Sequence, residues 1–218
     1  MHHRNRRWLS QLTIGILQLA ISSALLDAEV IDRVLAVVAG QVIMLSDVTA
    51  ARDLGLVKPG DPQGDPIGAV LSKLIDRELI LVQVDRYAPP EPGAEAIDRE
   101  VQDVRARFAQ PEAFAAALSR SGIDEQHLRG ILRDDLRIRE YEHERFTVPA
   151  PGDVELSRYY QEHPQMFTRD GQPMSFEAAR AEVARALVEE RRSTLIADWV
   201  ASLRRRADIV DLYSVVRK

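Results

Sequence analysis

The sequence predicts a mainly α-helical protein with a small β-hairpin near its N-terminus that pairs with a C-terminal strand. Apolar residues recur three and four positions apart over most of the chain, as on the buried faces of amphipathic helices. Near both ends, by contrast, β-branched and apolar residues occur in short runs. Together these patterns favour helices built around one small β element.

The N-terminal β element is predicted to be a hairpin. Residues 30–39 and 42–45 are rich in β-branched and apolar side chains, and Gly40 and Gln41 interrupt them. A similar run over residues 208–216 closes the chain, and we expect it to pair with the hairpin.

A short helix and a loop should follow the hairpin. Ser46 and Asp47 are residue types that cap helix N-termini, so the helix is expected over residues 48–54. Residues 58–66 contain three prolines and two glycines, which predicts a loop.

Six longer helices are predicted from apolar spacing and from the prolines and glycines that separate them. They are expected over residues 67–88, 94–108, 111–119, 124–146, 153–163 and 175–206. Residues 147–152 form a Pro/Gly-rich linker, and residues 164–174 form a loop. Six apolar residues of the last helix should form one continuous buried stripe: Phe176, Val183, Leu187, Leu195, Trp199 and Leu203.

The first residues have the layout of a secretory signal peptide, which predicts export. Three arginines within the first seven residues precede an apolar stretch over residues 9–26. Small residues permit cleavage after Ala24 or after Ala28, so residues 1–28 are expected to be removed. The alternative is an uncleaved anchor that holds the protein on the inner membrane, facing the periplasm.

Charge and composition exclude several classes of protein. Without residues 1–28 the chain has 26 basic and 33 acidic residues, so an acidic net charge near −7 disfavours nucleic acid as a partner. The absence of cysteine excludes disulfides, thiol catalysis and lipoprotein acylation.

No motif predicts a catalytic, cofactor or metal site. His127, His143 and His163 each stand alone, and the neighbours Glu142 and Glu144 point away from His143 on a helix. A calcium loop at residues 61–65 lacks the regular spacing of oxygen ligands, so a plain turn is the better interpretation.

Charged pairs have simpler structural explanations. Asp134-Asp135 and Glu189-Glu190 lie among alternating charges, as on exposed helix surfaces. The arginines at positions 204–206 are expected to cap the end of the last helix and to favour its dipole.

The opening segment VIDRVLAVVAGQVIMLSDV resembles the start of the SurA family of periplasmic chaperones. The residues that match the family signature are Asp32, Val34, Ala36, Val37, Val38, Val42, Ile43, Ser46 and Asp47. The helix LSKLIDRELILVQ resembles the second signature of that family, and the segment from Val148 to Tyr160 resembles a third.

The resemblance implies a SurA N-terminal-like helical domain over residues 29–147. Residues 148–218 would add closing helices and the C-terminal strand that complete the module. In SurA-like foldases, parvulin isomerase domains follow the Tyr-Tyr helix, but here residues 161–174 are too few to fold as a domain.

By this resemblance, the protein is expected to be a periplasmic, ATP-independent chaperone. Its partners would be unfolded or extended chains of exported or outer-membrane proteins, bound in a cleft between the two parts of the module. A foldase related to peptidyl-prolyl isomerases and a membrane-tethered assembly or scaffold factor are the alternatives. Four apolar residues could line the cleft but are better explained as core: Phe114, Leu118, Tyr159 and Phe167.

Overall fold

The structure, a computed structural model, describes residues 32–58 and 64–216. The expected signal segment over residues 1–28 lies outside the described residues, as does most of the loop predicted over residues 58–66. Within the described ranges the chain forms eight α-helices, one 3-10 turn and five short strands. None of the helices in these ranges is long and apolar enough to cross a membrane.

The elements follow one another along the chain in nearly the predicted order. The strands are β1 (Val34–Val38), β2 (Gln41–Met44), β3 (Thr168–Arg169), β4 (Gln172–Pro173) and β5 (Ile209–Asp211). The helices are α1 (Leu45–Asp53), α2 (Pro66–Tyr87), α3 (Ala94–Arg105), α4 (Pro111–Arg120), α5 (Glu125–Arg145), α6 (Asp153–Glu162), α7 (Phe176–Arg206) and α8 (Leu212–Val216). The mainly α fold class is confirmed.

The two ends of the described chain meet in a three-stranded antiparallel sheet with the order β2-β1-β5. Both the hairpin and its pairing with a C-terminal strand are therefore confirmed. The turn lies at Ala39-Gly40, one residue earlier than predicted, with φ angles of 49° and 86°. Positive φ at both positions is the backbone of a type I′ turn, whose twist suits a hairpin.

The predicted C-terminal strand is wrong beyond Asp211. The Asp211 side chain accepts hydrogen bonds from the backbone N–H groups of Tyr213 and Ser214, each at 3.0 Å. A side chain that satisfies these first donors starts a helix, so α8 replaces the remainder of the strand.

Helix α1 begins at Leu45, earlier than predicted, so Ser46 and Asp47 lie inside its first turn. The Asp47 carboxylate accepts a hydrogen bond from the backbone N–H of Met44 at 2.8 Å. Asp47, the third residue of the helix, thereby caps the N-terminus of α1. The Ser46 hydroxyl instead donates to Asp32, which also accepts from the Ser46 N–H at 3.1 Å. Asp32 thereby ties the entry of β1 to the start of α1.

The apolar residues separate into several cores. The sheet, α1, α2 and the end of α7 enclose the first, in which Leu35, Ala36 and Val38 of β1 have no exposed surface. Residues of α1, α3, α4 and α5 form the second. Helix α6 packs on the first half of α7 to form a third, closed by the hairpin β3–β4 within the loop predicted over residues 164–174.

The stripe predicted along α7 is interrupted. Leu187 packs in the third core and Leu203 in the first, but Leu195 between them is 46 % exposed. A helix of 31 residues is about 46 Å long, so it passes from one core to the other and crosses open surface on the way.

The arginines at the end of α7 do more than cap it. Arg206 donates to the carbonyl oxygen of Ser202 at 3.1 Å, as expected for a residue near a helix C-terminus. Arg204 instead reaches α2, where it donates to the carbonyl oxygen of Ser72 at 2.6 Å and to the Asp76 carboxylate. Arg204 therefore fastens the last helix to the first core.

Replacing Arg204 with methionine should destabilise the fold, whereas the same change at the exposed neighbour Arg205 should not. The variant loses charged hydrogen bonds to Ser72 and Asp76, which together should lower the free energy of unfolding by about 1–2 kcal/mol. Urea unfolding followed by circular dichroism measures this difference. Equal stability of Arg204→Met and Arg205→Met would show that the contact contributes nothing.

Candidate functional site

A groove with a volume of about 650 Å³ lies between β2, α1, α2 and α5. All of its lining residues fall within residues 41–139. We expected a cleft between the part ending at residue 147 and the closing helices, and a smaller opening of about 370 Å³ does lie there, between residues 147–149 and α7. The groove between β2, α1, α2 and α5 is the larger of these two openings and lies apart from the core that α6 and α7 form.

The floor of the groove is apolar and partly open to solvent. Leu74 of α2 and Ile131 of α5 contribute from opposite sides, and Leu56 and Val57 contribute from the segment after α1. All four are half-buried: each packs against a core with part of its surface and leaves the rest in the groove. Apolar surface of this kind can bind apolar side chains of another molecule.

Arg77 joins the two helical walls. Its side chain donates to Asp135 of α5 at 2.7 Å and to the carbonyl oxygen of Ile131 at 3.1 Å. The same guanidinium donates to the neighbouring Glu78 at 3.1 Å. Only 19 % of the Arg77 side chain is exposed, so these charges interact with little screening by solvent.

Glu78 is the acid most affected by burial in the groove. Burial raises its pKa above the ordinary value of 4.5, and Asp134 and Asp47 act in the same direction. The charge of Arg77 and its hydrogen bond oppose this shift without cancelling it. Burial thus favours the neutral form of this side chain, and the Arg77 guanidinium favours its charged form.

The groove has more negative than positive side chains. Its five carboxylates outnumber its three lysine and arginine side chains, and the charged residues of the lining are Asp47, Asp76, Glu78, Asp134, Asp135, Lys73, Arg77 and Arg139. Arginines outside the lining pair with Asp76 and Asp134, which makes the excess smaller than this count. The excess that is left favours cationic segments over anionic ones. The groove is thus suited to a partner that is both apolar and basic.

The carboxylate pairs noted in the sequence lie in different environments. Asp134 and Asp135 line the groove and are half-buried, so their expected place on an exposed helix surface is wrong. Arg77 accounts for this position, since it draws both toward α2. Glu189 and Glu190 are exposed, as expected.

The three histidines of the described chain do not come together. His127 lines the groove, and His143 is exposed on α5. The His163 ring stacks on Tyr159 with a centroid distance of 4.2 Å. Across the described residues, no group of three histidine or acidic side chains could hold a metal ion. Glu144, next to His143, accepts instead from the Tyr87 hydroxyl at 3.0 Å.

Most of the segment weighed as a calcium loop lies outside the described residues. Its last member, Asp65, is described and accepts a hydrogen bond from the Tyr213 hydroxyl at 3.0 Å. This contact joins the start of α2 to α8.

The four apolar residues weighed for a client cleft are core residues, as the better-supported interpretation held. Phe114 and Leu118 belong to the second core, and Tyr159 and Phe167 to the third. None is more than 9 % exposed. Burial, together with a hydrogen bond to Glu190, also raises the pKa of Tyr159 to about 12.

The sequence reasoning missed the residues that shape the groove, namely Arg77, Glu78, Val57 and Ile131. One signal was present. Asp76, Arg77 and Glu78 are three consecutive charges inside an otherwise apolar stretch of α2. Charges at such positions either lie on a solvated face or line a site, and here they line a site.

A comparison with solved structures finds a chain with a similar fold. The similar structure comes from a study of the virulence factor PEB4 and the periplasmic protein Cj1289, two structurally related SurA-like chaperones of Campylobacter jejuni. The match has a TM-score of 0.50 at 14 % identity, and it covers 82 % of this chain and 98 % of the other. No protein-family profile and no curated protein matches the chain.

The fold is therefore SurA-like. At this level of identity the similarity concerns the fold alone, and it agrees with the resemblance seen in the opening segment.

Replacing Glu78 with glutamine should change how stability depends on pH. Because the folded pKa of Glu78 exceeds 4.5, the folded state binds more protons than the unfolded state between 4.5 and that higher value. Stability from neutral Glu78 is therefore lost as pH rises through this window. Glu78→Gln stays neutral, so its free energy of unfolding should rise relative to wild type across the same window.

Urea unfolding at a series of pH values measures the difference between the two proteins. Glu140, an exposed glutamate of α5, supplies the matched control, and Glu140→Gln should follow the wild-type profile. A difference between Glu78→Gln and wild type that does not vary with pH would contradict the burial effect.

Proposed function

We propose that this protein is a periplasmic, ATP-independent chaperone that binds unfolded segments of exported or outer-membrane proteins in the groove. The observation that carries the proposal is the open groove of about 650 Å³, with half-buried apolar residues on its floor. The SurA-like fold supports the same class of function, because its structural neighbours are described as chaperones.

The physical properties of the groove suit loose binding of varied chains. Its apolar floor favours aliphatic side chains, since Leu56, Val57 and Ile131 leave part of their hydrocarbon surface in the groove. An unfolded client loses conformational entropy on binding, which keeps the affinity modest. Modest affinity lets a client leave and fold without an energy source.

The proposal includes the division of the chain. Residues 29–147 correspond to a SurA N-terminal-like helical domain, and residues 148–218 complete the module. Between α6 and α7 the described chain has a single 3-10 turn and the hairpin β3–β4, in the place where an isomerase domain would be inserted. Chaperone activity is accordingly favoured over prolyl isomerisation.

The protein should suppress aggregation of an unfolded outer-membrane protein at about a stoichiometric ratio. Val57→Ser, which removes apolar surface from the groove floor, should weaken client binding by roughly fivefold, corresponding to about 1 kcal/mol. Light scattering during dilution of the client from urea measures both effects.

Val154→Ser is the matched control, because Val154 is 78 % exposed on α6 and lies outside the groove. Its activity should equal that of wild type. An undiminished rate of aggregation with excess wild-type protein would overturn the proposed function. Equal loss in both variants would remove the groove as the site.

The protein should be found in the periplasm with residues 1–28 removed. Osmotic-shock fractionation followed by mass spectrometry of the intact chain measures both. Recovery in washed membranes with residues 1–28 still attached would favour the tethered alternative instead, in which the same module faces the periplasm.

A further inference from the structure

The strand β2 has one edge available for pairing. It is an outer strand in the order β2-β1-β5, and no strand of the described chain pairs with its other edge. The two-residue turn at Ala39-Gly40 makes Val38 and Gln41 a hydrogen-bonded pair. By the alternation of antiparallel strands, the backbone N–H and C=O of Val42 therefore point away from β1.

The neighbouring backbone groups fit this alternation. The Leu45 N–H points toward β1 and donates to the carbonyl oxygen of Arg33 at 2.8 Å. The Met44 N–H points the other way, like that of Val42, and the Asp47 carboxylate accepts from it at 2.8 Å. The outward donor at the end of β2 is thus satisfied within the chain, which leaves Val42 as the centre of the edge.

The free edge of β2 opens on the groove. Gln41, Val42 and Ile43 all line it, and Val42 is 51 % exposed. An extended chain paired with β2 would place alternate side chains toward the apolar floor at Val57 and Ile131. The lining carboxylates lie on α1, α2 and α5, which also provide the floor, so basic side chains of the added strand would find them on that side.

We propose that the groove takes its clients by strand addition, in which an extended segment with aliphatic and basic side chains pairs with β2 at Val42. This inference rests on the proposed chaperone function and specifies the class of client. The excess of carboxylates in the lining favours a basic segment over an acidic one. Main-chain hydrogen bonds provide affinity for any sequence, and the alternate side chains provide preference.

Binding of short labelled peptides to the full-length protein, followed by fluorescence anisotropy, tests the proposal. The probe is a peptide of alternating valine and lysine, and its comparison partner alternates valine and glutamate. The lysine peptide should bind, and the glutamate peptide should bind at least several-fold more weakly. Equal affinity for both would contradict the role given to the carboxylates of the groove.

Two changes to the backbone test strand addition itself. Val42→Pro removes the outward N–H and is tolerated on an edge strand, whereas Val42→Thr keeps that donor. A lysine peptide with alternate amides methylated loses the matching donors. Each change should weaken binding by about fivefold or more, as expected for one or two backbone hydrogen bonds. The loss in Val42→Pro is measured against Val42→Thr, which alters the same side chain but keeps the donor.

The losses of affinity caused by Val42→Pro and by amide methylation should not add, because both changes remove the same strand pairing. If Val42→Pro does not fold, the methylated peptide still tests the pairing on wild-type protein. Undiminished binding of the methylated peptide would overturn strand addition. A concentration-dependent dimer of wild type that Val42→Pro abolishes would assign the edge to a second copy of the chain, and it would also overturn the proposal.

The aggregation assay separates this inference from the proposed function. If wild type and Val42→Pro suppress aggregation equally, the chaperone function stands and strand addition fails. If wild type does not suppress aggregation, the proposed function fails, whatever the peptides show.

Discussion

The pairing of β1 with both of its neighbours is the constraint on which the rest of this structure depends. β1 joins β2, a few residues away, to β5, which follows the last long helix. Because three residues of β1 have no exposed surface, any slip in this register would move core side chains to the wrong face of the sheet. The register therefore fixes where α1 starts, where α7 ends and which strand forms the edge.

The groove follows from that arrangement together with one half-buried cation, Arg77. β2 is left as an outer strand, and Arg77 joins α2 to α5 beside it through its ion pair with Asp135. A well-packed apolar contact at this place would be at least as stable as the ion pairs. The charged side chains and the apolar floor instead leave an open surface. The protein gives up some stability by this arrangement, and a surface that binds other chains would explain why it does so.

The elements were predictable from local sequence, but their relations were not. Spacing of apolar residues revealed α2 and α7, and the β-branched runs revealed the hairpin, because these signals are local. The Arg77–Asp135 pair joins residues 58 positions apart, so the local sequence around either residue does not predict it. The prediction that Leu195 is buried failed for the same reason. Its spacing fits the apolar stripe, but at this position α7 has left the third core and has not yet reached the first.

An open strand edge is usually a hazard, since it can pair with any exposed strand and start aggregation. Here the edge is short: β2 has four residues, and Asp47 already accepts from the Met44 N–H. Only the centre of the strand around Val42 is left to pair, which limits any added strand to a few hydrogen bonds. Under the proposed function, such a contact would be too weak to seed a stable assembly, and together with the apolar floor it would hold a client only for a short time. The short edge of β2 that limits aggregation of the protein would then also determine how fast a bound client dissociates.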